Sequence, residues 1–125
     1  MYKYEKEVSV SPEKVFGDLS AELKKYGFAV LSYVDVRDIV RKKFNEDFPY
    51  YFILDVCKPE AAKELITKNS DYGLLLPCKV VITGTPERST ISMLRISEVA
   101  DEHLHEPREN SLTYEEEIIR AIESL

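Results

Sequence analysis

This sequence has few residues that interrupt regular structure and no apolar run long enough to cross a bilayer. Four glycines and six prolines are spread over 125 residues, which argues against a disordered chain. Residues 1–7 are charged and aromatic and contain no apolar segment of the kind found in signal peptides. We therefore expect a cytoplasmic protein that does not enter a membrane, and we expect its two cysteines to be reduced thiols.

Catalytic motifs are missing as well. The sequence shows no Ser-His-Asp order, no glycine-rich phosphate loop and no paired catalytic carboxylates. We assign no catalytic residue and no cofactor, and we expect a protein that is not an enzyme.

Negative charge is concentrated at one end of the chain. The net charge of −6 divides into +1 for residues 1–97 and −7 for residues 98–125. A near-neutral body beside an acidic segment does not attract phosphate backbones, so we expect no nucleic-acid partner. The acidic segment could instead contact another protein.

The remaining composition suits one folded domain, because 125 residues with 44% apolar content can bury an ordinary core without disulfides or a structural metal. Periodicity predicts the order β-α-β-(α)-β-α-β-β-α. This order defines a single α+β domain over residues 1–125, with a mainly antiparallel sheet of about five strands and helices packed on one face. The predicted strands are residues 2–10, 28–36, 50–56, 74–82 and 90–96. The predicted helices start at residues 12, 36, 59 and 113, with a shorter one over 97–103.

The first and last helices carry boundary signals. Ser11 supplies an N-cap hydroxyl before Pro12, and Gly27 can take the left-handed backbone that ends the same helix. Thr113 opens a capping box at the start of the last helix, and we explain the acids at 115–117 as charges in its first turn.

The most apolar predicted strand, residues 74–82, has Pro77 in its middle. Proline cannot donate a ladder hydrogen bond, so we expect a bulge or a sheet edge there.

A sheet with helices on one side leaves its other face open. Tyrosines are amphipathic and suit a subunit interface on that face, which leads us to expect a homodimer. The tyrosines that we assign to this face are Tyr2, Tyr4, Tyr33, Tyr50 and Tyr51.

Several short motifs follow one another through the middle of the chain. They are Gly27-Phe28-x-Val30, Asp35-Val36, Lys43, Pro49-Tyr50, Ile53-Leu54, Cys57-x-Pro59, Gly73 to Cys78 with its Leu-Pro-Cys, and Val80-Val81. Over about residues 2–95 these motifs resemble the domain of unknown function 302 family, most specifically in the Cys-x-Pro and Leu-Pro-Cys segments.

The resemblance implies a small α+β fold with a curved antiparallel sheet, usually found as a dimer, and it implies no particular activity. The family usually has Asn after each of the two cysteines, whereas this chain has Lys58 and Lys79. Lysine cannot accept a hydrogen bond as an amide does, so the chain departs from a polar site built on those amides. Residues 98–125, with the terminal helix, lie outside the resemblance.

Cys57 and Cys78 are the candidates for covalent chemistry. Cys57 closes a strand just before a helix start, where the helix dipole and Lys58 favour its thiolate. If strands 50–56 and 74–82 are neighbours, Cys78 could approach Cys57, and the two could act as a thiol pair. The alternative is that both are small core residues, whose apolar surroundings raise the pKa.

Two further clusters have simpler explanations. His103 and His105 could join the cysteines around zinc, but the spacing matches no zinc motif, and we predict no metal site. The one basic cluster is either the outer face of a short helix or a site for an anionic ligand. It consists of Arg37, Arg41, Lys42 and Lys43.

The function that we predict is that of a non-enzymatic homodimer whose sheet and helices enclose an apolar pocket for a small ligand. We expect the ligand near Lys43, Pro59, Pro77 and Cys78. One alternative is a thiol-dependent redox or sulfur-handling protein that uses Cys57 and Cys78. A further alternative is an interaction module that uses the acidic C-terminal segment.

Overall fold

The computed structural model describes all 125 residues and confirms the predicted order of elements. The strands are β1 (Lys3–Val8), β2 (Ala29–Asp35), β3 (Tyr50–Cys57), β4 (Cys78–Thr85) and β5 (Arg88–Leu94). The helices are α1 (Pro12–Lys24), α2 (Val36–Phe44), α3 (Pro59–Lys68), α4 (Ile96–Val99) and α5 (Glu109–Glu123). A 3₁₀ turn (Ser70–Leu74) precedes β4, and a π-helical turn (Ala100–Leu104) follows α4.

The five strands form one antiparallel sheet in the order β1-β5-β4-β3-β2. Residues opposite each other in the ladder share a face of the sheet. Leu54 pairs with Val80 and Val80 with Met93, and all three are buried. One face is therefore a continuous apolar surface, which confirms the α+β prediction.

Three helices cover this apolar face. Leu19 of α1 and Ile122 of α5 belong to the same buried cluster as Leu54 and Val80. Leu65 of α3 packs nearby, close to the start of β4. None of the helices combines the length and the apolar composition that a bilayer crossing requires.

The boundaries of α1 follow the sequence signals. The Ser11 hydroxyl accepts a hydrogen bond from the N–H of Lys14 at 3.3 Å, and Pro12 is the first helical residue. Gly27 follows the helix with a φ of +83°, a backbone conformation that costs glycine least.

The leucines before Pro77 are not part of a strand, contrary to our prediction. The strand begins at Cys78, and Leu74 is 81% exposed in the preceding turn. The reason is that β4 lies between β3 and β5, where a proline would remove a ladder hydrogen bond. The ladder therefore starts after the proline, with Cys78 opposite Val56.

The predicted start of the last helix at Thr113 is also wrong. The helix begins one turn earlier, at Glu109, shortly after Pro107. Proline favours the first turn of a helix, and the N–H of Leu112 already donates to the carbonyl of Arg108 at 3.0 Å. The extra turn lengthens the side of α5 that faces the sheet.

We had expected the tyrosines on the open face of the sheet, but the structure does not gather them there. Tyr4, Tyr33 and Tyr50 have the strand parity of the buried residues, so they lie on the helix-covered side. Tyr51 alone of the tyrosines within strands has the other parity, and Tyr2 precedes β1. Because consecutive strand residues point to opposite faces, Tyr50 and Tyr51 cannot share one.

Helix α2 stands apart from the core. It forms as predicted, but none of its residues is buried, and Ile39 and Phe44 are 50% and 62% exposed. It follows β2, which is an edge strand with mostly exposed side chains. We call this region the β2–α2 edge and define it by its exposed apolar residues, which are Leu31, Tyr33, Val34, Ile39, Phe44 and Phe48.

Candidate ligand pocket

An apolar pocket lies between α3, α5 and the neighbouring ends of β3 and β4. Twelve of its fifteen lining residues are hydrophobic, and the three polar ones are Lys58, Ser111 and Glu115. Cys57 and Cys78 are both in its wall. The sheet therefore does bring the two thiols to one site.

The pocket is narrow. The empty space between its lining atoms, with the open mouth included, is about 410 Å³, but the part that a whole water molecule can enter is about 20 Å³. One water needs roughly 10–15 Å³ on that measure. The closed pocket thus has room for one water, and a larger ligand enters only when a side chain moves.

Glu115 forms a polar inner wall and is only 3% exposed. Arg95 Nε donates to its Oε2 at 3.0 Å. Ser97 donates twice, from its N–H to Oε1 at 3.0 Å and from its hydroxyl to Oε2 at 2.8 Å. The buried carboxylate is therefore fully paired and ties α5 to the corner between β5 and α4.

Ser111 lies one turn before Glu115 on α5 and is also 3% exposed. Its Oγ is the one buried side-chain oxygen or nitrogen of the chain without a hydrogen-bond partner. An unpaired buried hydroxyl costs about 1–3 kcal/mol, and native interiors contain few of them. Because Ser111 lines the pocket, a molecule bound there could pair with this hydroxyl.

Lys58 is the basic residue in the pocket wall. Its Nζ is 3.2 Å from Glu117 Oε1 and 5.5 and 5.6 Å from the ring centres of Phe28 and Tyr114. The Tyr114 hydroxyl donates to Glu64, and this hydrogen bond, with burial, raises the pKa of Tyr114 to about 12. Two polar links thus join α5 to α3 and to the residue before it.

The two thiols are free. Cys78 pairs with Val56 in the ladder and lies on the helix-covered face. Burial, with the nearby Cys57 as a second cause, raises the pKa of Cys78 to about 12. Cys78 is thus a neutral thiol at neutral pH, which makes it a poor nucleophile.

The structure separates the residues that we expected around one ligand. Cys78 lines the pocket, whereas Pro59 and Pro77 are only chain neighbours of lining residues. Lys43 is exposed on α2, at the far end of β3, whose eight residues span roughly 25 Å. The lysine that lines this pocket is Lys58.

The two lysines in place of the family's asparagines do not form a shared site. Lys58 is at the pocket, while Lys79 pairs with Asp55 on the open face of the sheet. The hydroxyl of Ser32 donates to the same carboxylate at 2.7 Å. Hydrogen bonds from Lys79 and Ser32 lower the pKa of Asp55.

The other predicted clusters lie outside the pocket. No three His, Cys, Asp or Glu side chains meet in an arrangement that could hold a metal ion, and His103 and His105 are exposed. Arg37 stacks over the ring of Tyr50 at 4.0 Å, and Arg41 pairs with Asp47 at 3.5 Å. These contacts suit the charged side of α2.

Sequence reasoning missed the polar groups that α5 supplies. We had expected Glu115 to be a surface charge in the first turn. The helix starts at Glu109, so Glu115 lies in its second turn, and its side chain is buried. A signal was present, since Ser111 and Glu115 continue the helical spacing of Ile118 and Ile122. An acid in line with an apolar stripe is buried only with a partner, which here is Arg95.

These features define a class of protein, a small α+β domain with a five-stranded antiparallel sheet, helices on one face and a narrow pocket beneath the last helix. The chain matches the domain of unknown function DUF302 over residues 4–125 and belongs to that family. The motifs in the sequence showed this resemblance only as far as about residue 95. The family match extends further and includes α5.

A solved structure shows the same fold. The crystal structure of an uncharacterized conserved DUF302 protein from Bacillus stearothermophilus is similar with a TM-score of 0.89 and 26% identity, and the similarity covers 98% of this chain and 97% of that chain. A search of curated proteins finds no match.

Proposed function

We propose that this protein is a non-enzymatic binding module whose apolar pocket takes one small ligand. The observation that carries the proposal is the combination of hydrophobic walls with a single unpaired hydroxyl, that of Ser111. Small-molecule sites are typically apolar with a few placed polar groups. The charged residues in the walls, Lys58 and Glu115, are already paired within the chain.

Isothermal titration calorimetry with two small uncharged molecules, 1-hexanol and cyclohexanol, tests this proposal. At least one of them should bind saturably to the unmodified protein, and Ala62→Phe, which fills the pocket, should weaken that binding at least tenfold. Ala21→Phe is the matched control, because Ala21 is exposed on α1, and it should bind as the unmodified protein does. Absence of saturable binding, or equal binding by both variants, would contradict the proposal.

Thiol chemistry has less support. The raised pKa of Cys78 keeps that thiol neutral, so we expect it to remain unmodified by iodoacetamide at pH 7.4 in the folded protein. Rapid labelling of Cys78 would favour the redox or sulfur-handling alternative. Two free thiols also suit a reducing compartment, and we propose a cytoplasmic location.

The acidic segment is poorly suited to serve as a free docking tail, because several of its acids are paired within the chain. Arg108 pairs with Glu98 and Asp101 at 3.1 and 3.4 Å. Glu115 and Glu117 bind Arg95 and Lys58. We therefore rank an interaction module based on this segment below the pocket.

The β2–α2 edge supports a second proposal, that the protein forms a homodimer there. An edge strand has unpaired backbone groups, and a twofold axis beside it would pair β2 with its own copy in antiparallel fashion. The same contact would cover apolar side chains such as Ile39 and Phe44, which the single chain leaves exposed.

Light scattering after size exclusion tests the dimer. The unmodified protein should have twice the chain mass of 14.4 kDa, and the double variant Ile39→Glu, Phe44→Glu should have the mass of one chain. Ile66→Glu, an exposed isoleucine on α3, is the matched control and should remain dimeric. A single-chain mass for the unmodified protein at 100 μM would rule out the dimer.

A further inference from the structure

The unpaired hydroxyl of Ser111 identifies the polar end of the pocket. A serine inside a helix commonly donates to a carbonyl one turn earlier, as Ser20 does to Phe16 at 2.7 Å. Ser111 makes no such bond, although it is almost fully buried. Its hydroxyl therefore retains one donor and two acceptor positions for a bound molecule.

The charges around the pocket indicate that this molecule is neutral. Glu115 accepts its hydrogen bonds from Arg95 and Ser97, and Lys58 is paired with Glu117. A ligand carboxylate or ammonium group would lose its hydration here and find no free countercharge.

The shape of the pocket indicates that the molecule is slender. Only about 20 Å³ admits a whole water molecule, within about 410 Å³ of empty space between the walls. Lys58 lines the pocket, and its side chain is flexible enough to move aside. An unbranched chain needs less widening of the walls than a ring does.

We infer that the ligand class is an uncharged, unbranched aliphatic molecule with one terminal oxygen, and that this oxygen pairs with the Ser111 hydroxyl. The inference rests on the proposed function of the pocket and specifies its ligand. A short primary alcohol has this chemistry, because its hydroxyl can both donate and accept.

Three probes of equal length test the charge requirement. We would titrate 1-hexanol, hexanoate and hexylamine into the protein at pH 7.4 and measure the heat of binding. Hexanol should bind, and the two charged molecules should bind at least tenfold more weakly. Equal or tighter binding of hexanoate or hexylamine would overturn the inferred ligand class, while any saturable binding that Ala62→Phe weakens would leave the proposed function intact.

A serine variant tests the hydrogen bond. Ser111→Ala should bind hexanol about fivefold more weakly, as expected for the loss of one hydrogen bond. Ser20→Ala is the matched control and should leave the affinity unchanged, because Ser20 does not line the pocket. The Ser111→Ala protein should fold, since the change removes an unpaired hydroxyl and alanine favours helices.

Each other result has a definite meaning. Unchanged hexanol affinity in Ser111→Ala would mean that the hydroxyl holds only a water molecule, and it would overturn the inference. Binding of cyclohexanol without binding of hexanol would overturn it as well. Failure of both alcohols to bind would reject the proposed function and the inference together.

Discussion

Helices α2 and α5 resemble each other in the sequence and differ completely in their surroundings. Each carries an apolar stripe at helical spacing. The two stripes consist of Val36, Ile39, Val40 and Phe44 in α2, and of Ile118, Ile119 and Ile122 in α5 with Leu125 just after it. Yet α5 has five buried residues, whereas α2 has none.

Distant parts of the chain hold α5 in place. Lys6 of β1 donates to the carbonyl oxygens of Glu123 and Leu125 at 2.8 and 3.2 Å, which supplies partners at the end of the helix. Near its other end, Glu115 is bound by Arg95 and Ser97. The contact of Lys6 with the end of α5 explains why a charged residue lies opposite the buried Ile91 on the helix-covered face.

The side-chain bonds of α2 are short-range by comparison. Asp35 caps it by accepting from the N–H of Asp38 at 3.0 Å, and Lys42 pairs with Asp38 at 2.9 Å. Such contacts stabilise a helical turn but bury no apolar surface. The difference teaches that an apolar stripe identifies which side of a helix can be buried. It does not identify the element that packs against that side, or whether one does.

The largest effect should come from the buried acid of α5. We expect Glu115→Ala to lower the free energy of unfolding by about 3–5 kcal/mol, because it leaves Arg95 and Ser97 without their partner. Glu116→Ala, the exposed neighbour, should change it by less than about 0.5 kcal/mol. Urea denaturation measures both free energies of unfolding. Equal effects of the two variants would show that the buried contacts of Glu115 do not contribute to stability.

One substitution made in both helices sharpens the comparison. We expect Ile122→Ala in α5 to lower the free energy of unfolding by at least about 2 kcal/mol, because this side chain is fully buried. Ile39→Ala in α2 should cost less than about 1 kcal/mol in the single chain, because half of the side chain is already exposed. Urea denaturation at low protein concentration keeps association out of the comparison. A cost at Ile39 as large as that at Ile122 would mean that α2 is covered.

The smallest effect concerns alkaline pH. The folded state holds the pKa of Cys78 near 12, above its ordinary value of 9.0, so the unfolded chain loses this proton first as the pH rises. Stability should therefore fall above pH 9, by up to about 1 kcal/mol per pH unit from this thiol. Cys78→Ala should reduce the slope between pH 9 and 10.

A variant on α2 provides the comparison for this slope. The pKa of Lys42 is raised above its ordinary value of 10.5 by its hydrogen bond to Asp38, so most of its titration lies above pH 10. Lys42→Met should therefore change the slope between pH 9 and 10 much less than Cys78→Ala does. A slope that is the same in Cys78→Ala and the unmodified protein would contradict the assignment to the thiol.

The site was less predictable than the fold. Short-range patterns assigned Cys57 and Cys78 to two strands but left open whether these strands are neighbours. The sheet pairs them, and both cysteines line the pocket. Lys43 was assigned to the ligand from family resemblance, but β3 separates it from the pocket. Ser111 and Glu115 come from a segment that no family motif in the sequence covered, and only the packing of α5 shows that their side chains are enclosed.

By itself, the sequence determined the order of elements and the ends of α1, because these depend on capping, proline and periodicity within a few residues. The tertiary structure alone decided where β4 begins, which acid is buried and which helix remains uncovered. These outcomes depend on neighbours that are distant in sequence: β3 and β5 exclude Pro77 from the ladder, and Arg95 lets Glu115 leave water at an acceptable cost in free energy.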